Sequence, residues 1–197
     1  GTADKKAEIK NLMLSGKLDI TENYRNSFAY SGGLVGGAEY VSFTDITTNV
    51  AVTAKKGSAP YPWSYVGGFA GTVKNADFLR CVNNGTVTTD GDYVSGFAAK
   101  SETTTYTSCV NNGAITGRTK IGGFGGAVKS TKTVDSYNTG TIGLAAYNGG
   151  NQGIGGLFGE MGYGSTLTRC YNTGAVTGDC YVGGLVGSVG SGSDAAN

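Results

Sequence analysis

The sequence predicts an all-β repeat solenoid, β-helix-like, with about six to seven coils of roughly 28 residues each. Three observations carry this. Two short blocks alternate along the chain, one of them has the period-two pattern of a strand, and glycine makes up 36 of 197 residues beside only two prolines. So much glycine with so little proline fits neither a Pro/Gly-rich disordered linker nor collagen, which needs glycine at every third position. Frequent Thr, Tyr and Val favour strands.

The first block is a β-branched residue, a glycine pair, Leu or Phe, a small or apolar residue and usually another glycine. It reads Val66-Gly67-Gly68-Phe69-Ala70-Gly71, Ile121-Gly122-Gly123-Phe124-Gly125-Gly126, Ile154-Gly155-Gly156-Leu157-Phe158-Gly159 and Val182-Gly183-Gly184-Leu185-Val186-Gly187. A degraded copy is Val94-Ser95-Gly96-Phe97-Ala98-Ala99, and the earliest is Ser31-Gly32-Gly33-Leu34-Val35-Gly36. The Leu/Phe position falls at 34, 69, 97, 124, 157 and 185, at intervals of 35, 28, 27, 33 and 28.

The second block reads Cys81-Val82-Asn83-Asn84-Gly85-Thr86-Val87 and returns at Cys109–Ile115, Ser136–Ile142 and Cys170–Val176. Weaker relatives are Leu14-Ser15-Gly16-Lys17-Leu18 and Asp45–Ala51. Each repeat is one unit that buries its apolar face against the next. Val182, Leu185 and Val189 have helical spacing, but glycines at 183, 184 and 187 would each cost a helix about 1 kcal/mol relative to alanine. Cys170, Asn172, Gly174 and Val176 alternate with period two, one face of a strand. Both blocks are therefore read as strands, the glycine pair giving a bend or bulge.

Stacking in register turns equivalent positions into columns. Cys81, Cys109, Ser136 and Cys170 form one. Asn83, Asn111, Asn138 and Asn172 form another, whose amides can bond the copies above and below. Asn at these places tolerates a left-handed corner, and Gly85, Gly113, Gly140 and Gly174 free the chain to turn. The expected organisation is a disordered or capping segment over residues 1–8, a single solenoid domain over 9–189 and a flexible tail over 190–197.

The alternation Cys170-Tyr171-Asn172-Thr173-Gly174-Ala175-Val176 followed by Val182-Gly183-Gly184-Leu185-Val186-Gly187 resembles the GLUG repeat, named for a Gly-Leu-apolar-Gly core, here Gly184–Gly187. The resemblance covers about Ile9 to Val189 and is specific in the last four copies. GLUG arrays occur in large bacterial surface and secreted proteins, including adhesins and IgA-specific metallopeptidases. The resemblance implies a non-enzymatic adhesive or spacer module in a larger bacterial protein, at the cell surface or outside the cell. It supplies no catalytic residue, and with no histidine the chain lacks the peptidases' zinc motif.

Chemistry is sparse elsewhere. The absence of histidine removes His-based triads and most zinc hydrolase sites. No metal site and no cofactor are expected. The cysteines, at 81, 109, 170 and 180, include no zinc-type pair. Those in the second block read as buried apolar filler, with a Cys170–Cys180 bridge as an open alternative. Asp90-Gly91-Asp92 reads as an acidic turn rather than a calcium loop, and Asp90, Asp92 and Asp179 fall in corresponding loops of non-adjacent coils. Thr103–Thr105 and Thr131/Thr133 occur in too few coils for a flat threonine array.

A net charge of +1 gives no footprint for nucleic acid. No stretch approaches the ~18–20 apolar residues of a membrane span. The variable segment before each glycine pair holds the best binding residues: Tyr61, Trp63 and Tyr65, with Tyr93 and Tyr181 at positions equivalent to Tyr65. Exposed aromatics there can stack on a sugar or anchor a protein, or the loop folds back and covers the flank of the solenoid. The expected partners are a host or bacterial surface protein or a glycan, with end-to-end self-association through uncapped strand edges. A carbohydrate-active or glycan-binding β-helix is the alternative.

Overall fold

The computed structural model describes residues 1–2, 5–23, 28–57, 63–145 and 153–190. They form no helix; the described strands run from Ala7 to Val189 and pair in parallel as a β-helix-like solenoid. Val35 pairs with Ala70, Ala70 with Ala98, Lys100 with Ala127, Gly125 with Phe158 and Phe158 with Val186. These partners lie 35, 28, 27, 33 and 28 residues apart, the intervals of the Leu/Phe position. Ahead of them, Ala7–Glu22 lies beside Val35–Lys56, with Ala7 opposite Val41.

Two sheets share the strands. A six-stranded sheet consists of Ala29–Gly32, Ser64–Gly67, Tyr93–Ser95, Lys120–Gly122, Ile154–Gly155 and Val182–Gly183, paired in chain order. These strands lead into the glycine bends. A seventeen-stranded sheet forms the rest of the wall. The long insertions before the glycine pairs, residues 58–62 and 146–152, lie outside the described residues, as does the expected tail from 191 on.

The left-handed corners are not where the sequence places them. Neither Asn83 nor Gly85 nor their equivalents in the later coils have positive φ; of the glycines in this column only Gly16, in the first coil, does. The left-handed residues are Tyr40, Asn75, Thr103, Ser130 and Gly164 in one column, Asn11, Asp45, Arg80, Ser108, Asp135 and Arg169 in another, and Tyr181 ahead of the last glycine bend. Each L-residue there accepts a cost of about 1–2 kcal/mol. In return the chain turns without leaving the ladder: the Arg80, Ser108 and Asp135 N–H groups bond the carbonyls of Thr107, Val134 and Thr168 at 3.0, 3.1 and 3.1 Å. Gly113, Gly140 and Gly174 are needed for space instead. A Cβ at any of them would overlap the carbonyl oxygen of the equivalent glycine one coil earlier.

The interior has two halves. One is aromatic: Phe69, Phe97 and Phe124 stack at 4.7 Å per step, and Phe43, Phe78 and Tyr106 stack at 4.6 and 4.9 Å. The two columns meet edge to face, as in Phe97 against Tyr106 at 5.7 Å. The other half is aliphatic, built from Val52, Val87, Ile115 and Ile142 with Val66, Val94, Ile121 and Ile154. The asparagine column is buried as expected. Asn83, Asn111 and Asn138 each donate from Nδ2 to the next Oδ1, at 2.7, 2.6 and 2.7 Å. Each also donates to its own Gly carbonyl two residues on, at 3.0, 2.9 and 2.7 Å. Thr48 begins the chain by donating to Asn83 Oδ1 at 2.8 Å. No interior amide in the run lacks a partner, which is the condition for burying amides cheaply.

Candidate binding surface

Strand alternation sends Val66 and Val94 inward and Tyr30, Tyr65 and Tyr93 outward from the six-stranded sheet. Register then places the tyrosines in one column, with ring centroids 5.3 Å apart for Tyr30–Tyr65 and 4.4 Å for Tyr65–Tyr93. Phe28 packs on Tyr30 and Tyr65 at 6.1 and 5.9 Å, and Trp63 lies 5.9 Å from Tyr93. The expected trio is thereby divided. Trp63 is 52 % exposed, Tyr65 is only 5 % exposed within the stack, and Tyr61 lies outside the described residues. Phe28 and Tyr30 are exposed beside Trp63. The outward aromatic surface is therefore a rim of Phe28, Tyr30 and Trp63 around a covered tyrosine stack.

The tyrosine column continues into Lys120, which pairs with Tyr93 in the sheet. Its Nζ stands 5.0 Å from the centre of the Tyr93 ring and donates to the Tyr93 hydroxyl at 3.4 Å and to Glu160 Oε2 at 2.6 Å. Burial alone would lower the Lys120 pKa. The Glu160 carboxylate and Tyr93 outweigh it and hold the ammonium above its ordinary range. A cleft of about 70 Å³ opens here, with Tyr65, Tyr93, Lys120, Ala127, Glu160 and Tyr163 in its lining. Sequence reading finds Tyr65 and Tyr93 but not this place, because Lys120, Ala127, Glu160 and Tyr163 come from separate repeats and do not recur.

The other candidate residues are engaged structurally. Asp92 is ion-paired with Arg118 and lies 3.7 Å from the Lys56 ammonium. Its backbone carbonyl accepts from the Thr119 hydroxyl at 2.5 Å. Asp90 accepts the Lys56 N–H at 2.8 Å, and Asp179 is exposed. Among the described residues no three His, Cys, Asp or Glu side chains converge as a metal site. Thr131 and Thr133 are buried rather than displayed.

All four cysteines are free thiols, so the Cys170–Cys180 bridge is not formed. Cys81 and Cys109 are buried, and the Cys109 thiol donates to the carbonyls of Phe78 and Thr107 at 3.5 and 3.4 Å. Burial pushes the Cys109 thiol well above its ordinary range, which keeps it protonated and unreactive. No helix among the described residues is long and apolar enough to cross a membrane. No family model, curated protein or solved structure matches the chain.

Proposed function

We propose that this chain is a non-enzymatic repeat module of the GLUG type. It serves as an adhesive or spacer rod of six to seven coils within a larger bacterial protein, at the cell surface or outside the cell. One observation carries the reading. The side chains best able to do chemistry are occupied by their counterparts one coil away: asparagine by asparagine, Asp45 by Arg80, Asp135 by Arg169. Such residues serve to hold the stack together. Incubation with a panel of polysaccharides, followed by measurement of reducing ends, is the test. No release is expected, and release abolished by Asp92→Asn would replace this reading with an enzymatic one.

The exposed rim of Phe28, Tyr30 and Trp63 favours a glycan as the partner of the adhesive form, since aromatic faces stack on the C–H faces of sugars. Glycan-array binding that falls with Trp63→Ala supports that partner, and binding indifferent to the substitution removes it. End-to-end association belongs to the same reading. The coil containing Val182 and Leu185 leaves both side chains partly exposed, beside strand edges that have no partner among the described residues. Sedimentation at increasing concentration should show growing species that Leu185→Lys suppresses. A mass independent of concentration would rule out this association.

A further inference from the structure

We infer that the cleft over Ala127 is a subsite for a single neutral pyranose ring, distinct from the Trp63 rim. It rests on the carbohydrate reading above for its ligand class but on none of the rim residues. Ala127 stands between Lys100 and Glu160 in the sheet register. Its column therefore places two long side chains on either side of a methyl group. The flanking strands lie two coils apart, roughly 9.6 Å. Once the thickness of the Lys100 and Glu160 side chains is allowed for, the slot admits one saturated ring lying against the Ala127 methyl. The concavity exists because this position is alanine. It is also built on strands rather than on a loop, so its shape is fixed before any ligand arrives.

The walls have the chemistry a sugar needs. Lys120 Nζ and Glu160 Oε2 are 2.6 Å apart, and both side chains are 16 % exposed. A donor and an acceptor held side by side at that distance match two vicinal hydroxyl groups, each of which can give and take a hydrogen bond. Tyr163, 59 % exposed, supplies ring surface for the C–H face, while the Tyr93 ring, stacked on Tyr65 and capped by the Lys120 ammonium, forms the wall behind the ion pair. The Lys120 charge is already matched by Glu160 and backed by the Tyr93 ring. The lining also carries Lys100 and Lys129 beside Glu102, with the Lys129 ammonium 4.8 Å from the Tyr163 ring centre. At the Lys120–Glu160 pair itself an additional carboxylate from an acidic sugar would have to compete with Glu160, so a neutral ring is preferred there to a uronate.

Saturation-transfer NMR on the folded chain tests this, using the methyl glycosides of glucose, galactose, mannose, N-acetylglucosamine and glucuronic acid as probes. At least one neutral glycoside should receive saturation, with Tyr93 and Tyr163 ring signals shifting, and with affinity on the order of millimolar as expected for so small a ligand. Methyl glucuronide should bind at least tenfold more weakly. Ala127→Leu fills the slot and Glu160→Gln removes the anionic acceptor, and each should weaken binding at least tenfold. Should Ala127→Leu fail to fold by circular dichroism, the partly exposed Glu160→Gln carries the test alone. No transfer from any probe overturns the subsite. Binding that is lost with Trp63→Ala and kept with Ala127→Leu also overturns it, while leaving the rim reading intact. Binding to methyl glucuronide alone overturns the preference for a neutral ring.

Discussion

Leu157 and Leu185 are the same residue at the same place in successive repeats, and their environments differ completely. Leu157 is fully buried, whereas Leu185 is 39 % exposed. The pair one strand earlier behaves alike, with Ile154 fully buried and Val182 43 % exposed. Gly156 and Gly184 differ too. A Cβ on Gly156 would run into the Asn172 amide and the Gly184 carbonyl, while one on Gly184 would meet nothing within 4 Å. Local sequence is nearly constant between the two coils, so it cannot be the source of burial. The following coil is. Stability in this molecule resides in the contacts between coils, as expected for a solenoid whose units touch only their neighbours.

Matched substitutions in the two coils can break that comparison, with urea unfolding as the readout. Leu157→Ala should cost about 2–5 kcal/mol, because it empties a closed site. Leu185→Ala should cost roughly 1 kcal/mol, because little apolar area is recovered from water there. Equal costs would mean that each coil buries its own leucine. Asn138→Ala should come next, at about 2–3 kcal/mol, since it strands the Asn111 donor and the Asn172 acceptor. Asn172→Ala, at the half-open end of the column, should cost clearly less. Gly156→Ala should destabilise by about 1–3 kcal/mol through overlap, while Gly184→Ala should be neutral.

A pH titration sharpens the picture of the aromatic half. Tyr106 is fully buried, and burial raises its pKa well above the ordinary value, partly offset by its 2.6 Å hydrogen bond with Ser101. The folded chain therefore keeps this proton at pH values where the unfolded chain releases it. Stability should be unaffected below the unfolded value of about 10 and should fall as pH rises beyond it. Tyr106→Phe should flatten that part of the fall, and an unchanged profile would remove Tyr106 as its cause. The smallest effect is expected from Arg80→Ala. Its bond to Asp45 is exposed, so any shift in melting temperature should vanish at high salt.

Much of this architecture is legible in the sequence because stacking repeats the same letters. The Leu/Phe intervals match the strand register, and the asparagine column is buried where the Cys-x-Asn-x-Gly block puts it. The corners were illegible for the opposite reason. Asn11, Asp45, Arg80, Ser108, Asp135 and Arg169 share a backbone angle but mix an amide, carboxylates, guanidinium groups and a hydroxyl, so no single residue type recurs from coil to coil. The recurring glycines drew the turn onto themselves, although close approach between coils is what requires them. The Phe43, Phe78 and Tyr106 column had a faint signal, an aromatic residue three places before Ile46, Cys81 and Cys109, but it lapses at Thr133. Tyr65 has neighbours in the chain that allow either a displayed aromatic or one that covers the flank. Its partners Tyr30 and Tyr93 come from other coils, and they are what cover it.

The left-handed corner column has a consequence for how such a protein can gain or lose length over generations. Its charges run Asp45, Arg80, Ser108, Asp135, Arg169, with ion pairs at 2.6 Å between the first two and 2.5 Å between the last two. Excising residues 98–124 removes one complete turn, Ser108 included. Arg80 would then sit next to Asp135, Asn83 next to Asn138, and opposite charges would alternate without a gap. Such a shortened chain is expected to refold with the same strand content and a lower denaturation midpoint; failure to refold would show that this turn is irreplaceable. A genome can thus edit this rod in whole-turn steps wherever the new seam rejoins the asparagine column and the alternating corner charges.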